Sequence, residues 1–433
     1  MQTFRGAKNY ILGPARQFAA IKAVVERISQ AHNYSPCFTS LIDSRSLYRN
    51  TLGGQSDIVA KEMFELQYKG FVLRPEGTAN LMQYVLKENL HVREPLPLKL
   101  YYLGPMFRHE RPQKGRYRQF WQYGLEYISS KEEPVQEVDI IRICDEILEG
   151  CGVRGEIELN INTIGSIADR DRYSRYITDH FDARPALKAE LSVDSQKRLK
   201  ENPLRILDSK DQRDQEIVSQ LQSLGDFVSS SSKRYFEHVK DLLSHCKVEF
   251  KVSPTLVRGL DYYNDFCFEY LIKEQGQKSQ NAVIAGGRYN SLPNKISGSD
   301  KHQLYSIGFA MGIDRLIDNL GHKLSVGGGA KGAIGIGVVL EDSEDKTSQL
   351  YAQANQVESL VKARHPTDRY YITKHDFGKA FNYFESKGIA VCILIGEDEA
   401  NSRTVTVREL NSKTQKTTKA SELLAVIDTL IER

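Results

Sequence analysis

The chain has 433 residues, 40% hydrophobic and 27% charged, a balance that fits a globular protein and excludes wholesale disorder or a fibrous repeat. At roughly 150 residues per domain this length corresponds to about two to four domains, each large enough for its own core. Lys and Arg total 59 against 56 Asp and Glu, a net charge of +3, which excludes a histone-like polycation but permits a local basic face that binds nucleic acid.

The opening MQTFRGAKNYILGPARQF carries no charged end followed by a long apolar run, so no secretory signal is expected. No stretch approaches 18 consecutive apolar residues, so no membrane span is expected. The six cysteines, Cys37, Cys144, Cys151, Cys246, Cys267 and Cys392, are scattered without a CxxC pair. They read as free thiols of a cytoplasmic protein, without a structural zinc site.

In chain order, residues 17–31 have the spacing of a helix, followed by a strand-rich and charge-rich stretch to about Ile128. Within it, residues 71–79 (FVLRPEGTA) run from a strand into a tight turn at Pro75 and Gly77. That turn is either an ordinary surface turn or a means of presenting Glu76 and Thr78 to an ammonium group. Residues 101–127 (YYLGPMFRHERPQKGRYRQFWQYGLEY) read as two antiparallel strands joined by a basic loop, with Arg108, Arg111, Lys114, Arg116 and Arg118 against the single acid Glu110. Such a loop beside Phe120 suits phosphate binding with base stacking, or is simply a solvated charged hairpin.

Residues 137–151 read as a helix, and residues 167–244 as a polar, helical insertion containing a loop of four serines, Ser229 to Ser232. Strands resume at 246–252 and 266–271. Between them, residues 255–263 (TLVRGLDYY) set Arg258 among apolar neighbours. A cation there needs a partner, either Asp261 or a bound anion. Residues 285–290 (AGGRYN) put two glycines before Arg288 and Tyr289, as close backbone approach requires. Residues 307–316 (IGFAMGIDRL) pass from a strand through a glycine turn into a helix bearing Asp314 and Arg315, which alone reads as ordinary packing with a surface ion pair. Gly327 to Gly329 form a linker. Beyond it, strand patterns at 333–340, 369–373, 389–395 and 404–410 alternate with helical ones at 348–363, 379–386 and 420–432. This indicates a small α/β domain with a mainly parallel sheet.

Taken together, RPEGTA, FRHERPQKGRYRQF, LVRGLDYY, AGGRYN and GFAMGIDRL, in this order and spacing, resemble the histidyl-tRNA synthetase family of class II aminoacyl-tRNA synthetases, and IGEDEANSRTVTVREL at 395–410 continues the likeness. Three departures stand out: Ser40 where the first class II motif carries proline, Asn290 where the family has aspartate, and KHDFGKAFNYF (374–384) in place of a glycine- and lysine-rich segment. The resemblance implies an α+β catalytic domain over 1–326 with a mainly antiparallel sheet and the helical insertion at about 167–244. It further implies a glycine-rich linker over 327–331 and an α/β anticodon-binding domain over 332–433.

The same resemblance implies the ligation of L-histidine to tRNA(His) through histidyl-adenylate, with ATP and Mg²⁺, by a homodimer. It assigns catalysis to Arg258 and Arg108, and ATP contacts to Arg108, Glu110, Arg116, Phe120 and Arg315, with no protein ligand to a metal. Histidine contacts fall to Glu76, Gly77, Thr78, Gln122, Glu126, Tyr262, Tyr263 and Tyr289, and tRNA acceptor contacts to Arg111, Gln113 and Lys114. The competing reading is a catalytically inactive synthetase-like protein that regulates, or senses histidine or tRNA. Intact LVRGLDYY, a full C-terminal domain and the joint presence of Arg108, Arg258 and Arg315 argue against it.

Overall fold

The computed structural model describes residues 4–53, 56, 58–209, 211–257, 260, 262–273, 282–324, 333–340, 344–373 and 376–431. The chain divides into two compact units, Met1–Val326 and Gly327–Arg433. Among the described residues no helix is long and apolar enough to cross a membrane, and no disulfide joins any of the six cysteines.

Among its described residues the first unit holds eleven strands: β1 (Ser35–Pro36), β2 (Ile42–Ser44), β3 (Phe64–Glu65), β4 (Phe71–Leu73), β5 (Leu98–Phe107), β6 (Gln119–Ser129), β7 (Ile157–Thr163), β8 (Lys251–Val252), β9 (Asn264–Ile272), β10 (Ala282–Arg288) and β11 (Tyr305–Gly312). Eight of them form one sheet in the order β1-β5-β6-β11-β10-β9-β7-β8. Its inner pairings are all antiparallel, and only the short edge strands β1 and β8 join in parallel. The strand expected at 246–252 is therefore only its last two residues, because the preceding helix and turn run on to Lys247.

Side chains alternate across a strand, and the two faces of this sheet have opposite characters. One carries Tyr123, Leu125, Phe268, Tyr270, Ile284, Ile307, Phe309 and Met311 into a core shared with the helices Leu12–Ala31, Pro134–Gly150 and Ser230–His245. On the other face, Gln122 lies opposite Gly104 and Gly312, Gly124 opposite Tyr102 and Ala310, and Glu126 opposite Leu100 and Gly308. That face has a floor of small residues, which leaves room above it.

The polar stretch after β7 is helical, and its serines and aspartates explain themselves as caps. Ser166, Ser192, Asp211, Ser223 and Ser229 each accept a backbone N–H at the start of a helix. The four serines expected as a loop are thus a helix start, with Ser229 as the cap and Ser230 the first residue of Ser230–His245. Arg288 of AGGRYN is fully buried on the core side. Its Nε donates to Glu137 Oε1 at 2.6 Å and its Nη2 to Gln136 Oε1 at 3.0 Å. This is a structural ion pair, of the kind whose half-removal typically costs about 3–5 kcal/mol.

The second unit holds β12 (Ile334–Val339), β13 (Thr367–Ile372), β14 (Val391–Ile395), β15 (Thr404–Glu409) and β16 (Gln415–Lys419), in the order β13-β12-β14-β15-β16. The first three strands are parallel, while β15 and β16 are antiparallel additions. The sheet is therefore more mixed than the expected mainly parallel one. The reason is that β15 turns back against β14 and is extended by β16, whose polar sequence QKTTK carries no hydrophobic alternation to announce it.

Candidate active site

The turn after β4 and the hairpin β5–β6 supply one wall. Glu76 is 3% exposed, and its carboxylate accepts the backbone N–H groups of Thr78 (2.8 Å) and Ala79 (2.9 Å). It thereby closes the N-terminus of the helix Thr78–Lys87. Burial raises its pKa in spite of those bonds and of nearby Arg108. Gly77 has a steric function: a Cβ there would fall 2.3 Å from the Tyr102 ring, and one on Gly124 would fall 2.1 Å from it. Tyr102 is clamped between these two glycines. Arg74, next to the turn, is buried and spans Thr39 and Pro105 through its guanidinium, so it braces the wall.

The polar centre of the site is Glu126, which is fully buried on β6. Its Oε1 accepts the Thr78 hydroxyl at 2.7 Å and its Oε2 the Tyr289 hydroxyl at 2.5 Å. Tyr262, Tyr263 and Tyr289 form a buried ring cluster with centroids 4.7–6.5 Å apart. The Gln122 Oε1 is buried and has no hydrogen-bond partner among the described residues. The Asn290 side chain accepts the Ser306 N–H at 2.9 Å and donates to Glu132 at 3.1 Å. An aspartate there would face Glu132 as a like charge, which accounts for asparagine at this position.

Burial pushes the Glu126 carboxyl up to about 8, opposed by the Thr78 and Tyr289 bonds and reinforced by the Glu76 charge. The folded protein therefore holds this proton more tightly than the unfolded chain, in which it titrates near 4.5. The resulting stabilisation is complete below about pH 4.5 and is lost as the pH rises toward about 8. The stability of wild type relative to Glu126→Gln is expected to fall across that window by up to about 1.4 kcal/mol per pH unit. Urea unfolding of the two proteins at a series of pH values reads this; a difference that does not vary with pH would refute it.

Beside this pocket the basic residues converge. Arg108 donates from Nε to the Pro75 carbonyl at 2.9 Å and lies over Phe120, 5.2 Å from the ring centroid. Arg315 donates to the carbonyls of Gly115 (3.1 Å) and Ala282 (2.9 Å). Its pKa is pushed down to about 10, first by burial and then by Arg116 and Arg108, against Glu110 and Glu269. Such a depression marks cations close together in low dielectric. Arg116 is paired with Glu110 at 3.2 Å, whereas Arg108 and Arg315 have no carboxylate partner within salt-bridge distance among the described residues.

The hairpin tip is pinned by Asp318, which accepts the Gly115 N–H (3.0 Å) and the Tyr117 hydroxyl (2.6 Å). Arg111, Gln113 and Lys114 remain exposed on the loop. At its base lies an open cavity of about 370 Å³ lined by Arg5, His109, Glu110, Arg111, Pro112 and Arg118. Asp314 makes no surface ion pair: it is buried and accepts the Trp121 N–H (2.6 Å) and the Tyr10 hydroxyl (2.5 Å). Arg258 lies outside the described residues.

A family model described as histidyl-tRNA synthetase matches residues 6–316, and one described as an anticodon binding domain matches residues 336–430. The chain belongs to the histidyl-tRNA synthetase family. Its similarity to the histidine–tRNA ligase of Crocosphaera subtropica is 34% identity over 445 aligned residues, covering 100% of this chain and 96% of that protein. For the histidine–tRNA ligase of Rippkaea orientalis the figures are 33%, 99% and 96%. The crystal structure of apo S. aureus histidyl-tRNA synthetase superposes with a TM-score of 0.73 at 25% identity, covering both chains fully.

Within this family frame, the residues that sequence reasoning missed are those that make space. Gly308 lies beneath Glu126, where a Cβ would fall 1.9 Å from Oε2. Tyr102, Gly124 and the anchor Asp318 were missed with it. For Tyr102, Gly124 and Gly308 the signal is the strand register, which pairs Gly124 with Tyr102 and Gly308 with Glu126, and no single segment contains it.

Proposed function

We propose that this chain ligates L-histidine to tRNA(His) in two steps, consuming ATP and releasing pyrophosphate and AMP. The observation that carries this reading is the adjacency of two unlike surfaces. One is the cluster of Arg108, Arg116 and Arg315, in which burial and then the two neighbouring cations lower the Arg315 pKa. The other is the buried polar pocket around Glu126, with Thr78 and Tyr289. A polyanion bound at the first would meet a small polar substrate bound in the second.

In the first step a carboxylate oxygen of histidine attacks the α-phosphorus of ATP; the new acyl–phosphate bond forms as the bond to pyrophosphate breaks. An anionic nucleophile approaches a polyanion, so fixed positive charge is the main requirement. Arg108 takes the α-phosphate and the histidine carboxylate, Arg116 and Arg315 take the remaining phosphates, and Phe120 lies under adenine. Arg258 bridges the α-phosphate and the carboxylate, an assignment that rests on LVRGLDYY alone. Mg²⁺ would arrive with ATP and supply charge neutralisation on the phosphates, with Glu110 near the metal-bound phosphates or the adenine amino group and no protein ligand to the metal assigned.

Glu76, Gly77, Thr78 and Gln122 surround the α-amino and carboxylate groups, Glu126 and Tyr263 address the imidazole nitrogens, and Tyr262 and Tyr289 wall the pocket. In the second step the terminal ribose hydroxyl of tRNA takes the histidyl group and AMP leaves. Arg111, Gln113 and Lys114 meet the acceptor end, and the second unit meets the anticodon. The catalytic domain spans 1–326, the linker 327–331 and the anticodon-binding domain 332–433, in a cytoplasmic enzyme.

The assembly we propose is a homodimer. Phe38 (90% exposed), Tyr68 (77%), Ile42, Leu41 and Phe71 leave an apolar patch around β2 and β4. Ser40 holds the turn within that patch through bonds with both the C=O and the N–H of Ile42, local rigidity that a proline would otherwise give. Sedimentation at micromolar concentration should give a dimer; a monomer would remove this part of the reading.

The function is tested by histidine-dependent exchange of pyrophosphate into ATP without tRNA, in wild type and Arg258→Ala. Exchange that requires histidine and falls at least about 100-fold in the variant is expected. No exchange in folded wild type would overturn the enzyme reading. Exchange untouched by the substitution would remove Arg258 from the mechanism.

A further inference from the structure

Tyr289, whose hydroxyl donates to Glu126, stands one residue past the end of β10. The strand ladder alone does not fix its place. The β9–β10 register slips between Gly287 and Arg288, where a Cβ on Gly287 would fall 2.5 Å from the Phe266 carbonyl. The main chain here is held by side chains on either side of Tyr289, whose own N–H donates to the Ser306 carbonyl at 2.8 Å.

Asn290 is bonded three ways. Its backbone N–H donates to the Asn264 Oδ1 at 2.8 Å, its Oδ1 accepts the Ser306 N–H at 2.9 Å, and its Nδ2 donates to Glu132 Oε1 at 3.1 Å. That same Glu132 oxygen lies 3.3 Å from the Arg288 Nε. One carboxylate therefore ties together the two residues that flank Tyr289. Glu132 stands just past the end of β6, the strand that carries Glu126, so the tie joins both partners of the Tyr289–Glu126 bond from outside the pocket. An amide suits position 290, because it can donate to Glu132 and accept from Ser306 at once; an ionised carboxylate only accepts.

We infer that Glu132 and Asn290 are positioning residues for histidine recognition: by bracketing Tyr289 they hold its hydroxyl on Glu126 in the geometry that the imidazole meets. The inference rests on the proposed histidine pocket and adds to it two residues that touch no substrate. Binding groups keep their geometry only when a supporting shell locks them to within about 0.5 Å. A displacement of about 1 Å costs on the order of 100-fold in rate.

The test is histidine-dependent pyrophosphate exchange by the full chain carrying Asn290→Asp, Asn290→Ala or the double change Glu132→Gln with Asn290→Asp. Asn290→Asp removes the donor and sets a second carboxylate against Glu132, and should raise the histidine KM about 10- to 100-fold. Asn290→Ala, which adds no charge, should raise it about 10-fold. The double variant exchanges amide and carboxylate, keeping one donor between them and one charge beside Arg288. Its histidine KM should return to within about threefold of wild type. In all three, kcat and the KM for ATP should stay within about threefold of wild type, and the thermal midpoint within about 5 °C. A network that only stabilised the fold would move the KM for ATP and the thermal midpoint together with the histidine KM, and that pattern overturns the inference. An unchanged histidine KM in both single variants overturns it too, as does a double variant no better than Asn290→Asp. Absence of exchange in wild type would instead strike the ligase reading, and this inference with it.

Discussion

Gly308→Ala is expected to weaken histidine activation at least about 100-fold while leaving a folded protein. A Cβ at this position would fall 1.9 Å from Glu126 Oε2 and 2.5 Å from the Leu125 carbonyl. Rotation of Glu126 cannot relieve the overlap cheaply, because Thr78 and Tyr289 hold its two oxygens and the carbonyl belongs to the neighbouring strand. Overpacking of this kind costs about 1–3 kcal/mol. A displacement of about 1 Å at a substrate-binding group costs on the order of 100-fold in rate. The expected result is a histidine KM in the exchange reaction raised at least about 100-fold, with a thermal midpoint lowered by only a few degrees. A variant exchanging within a few-fold of wild type would show that Glu126 does not bind histidine.

Arg315→Ala should have an effect of similar size by a different route. Burial, and then the neighbouring Arg116 and Arg108, hold the Arg315 pKa below the usual guanidinium range. Fixed cations in low dielectric act on developing negative charge without reorganisation. Its removal should lower kcat for exchange about 100- to 1,000-fold and leave the histidine KM nearly unchanged. Arg315→Lys should recover little, because an ammonium cannot reach the Gly115 and Ala282 carbonyls and still present a planar fork. If Arg315 merely held the hairpin tip, the histidine KM and the thermal midpoint would shift with kcat, and that pattern would refute a role at the phosphates.

Neither prediction could be framed from one segment of sequence. The basic loop at 108–118 announces phosphate chemistry by composition, and period-two spacing puts Phe120, Gln122 and Glu126 on one strand face. Which residues clear the space in front of them depends on partners about 20 to 180 positions away, at Tyr102 and Gly308. Asp314 looks like a surface acid when read in IGFAMGIDRL. It is in fact a buried acceptor for Trp121 and Tyr10, because the helix it starts packs back against β6. The Arg288 of AGGRYN was likewise legible as a glycine-flanked cation, whereas its burial beside Glu137 was not.

What the sequence by itself determined was kind and order: a charged, strand-rich catalytic region, a polar helical insertion, a small α/β region after three glycines, and the motif series that identifies the family. These are properties of neighbours along the chain, where spacing and residue type act directly. Tertiary structure alone decided which cations lack carboxylate partners, which carboxylate is forced toward neutrality at Glu126, and which glycines are steric necessities. Those properties arise from desolvation and close contact between strands far apart in sequence. Both depend on distances of a few ångströms that only the folded register creates.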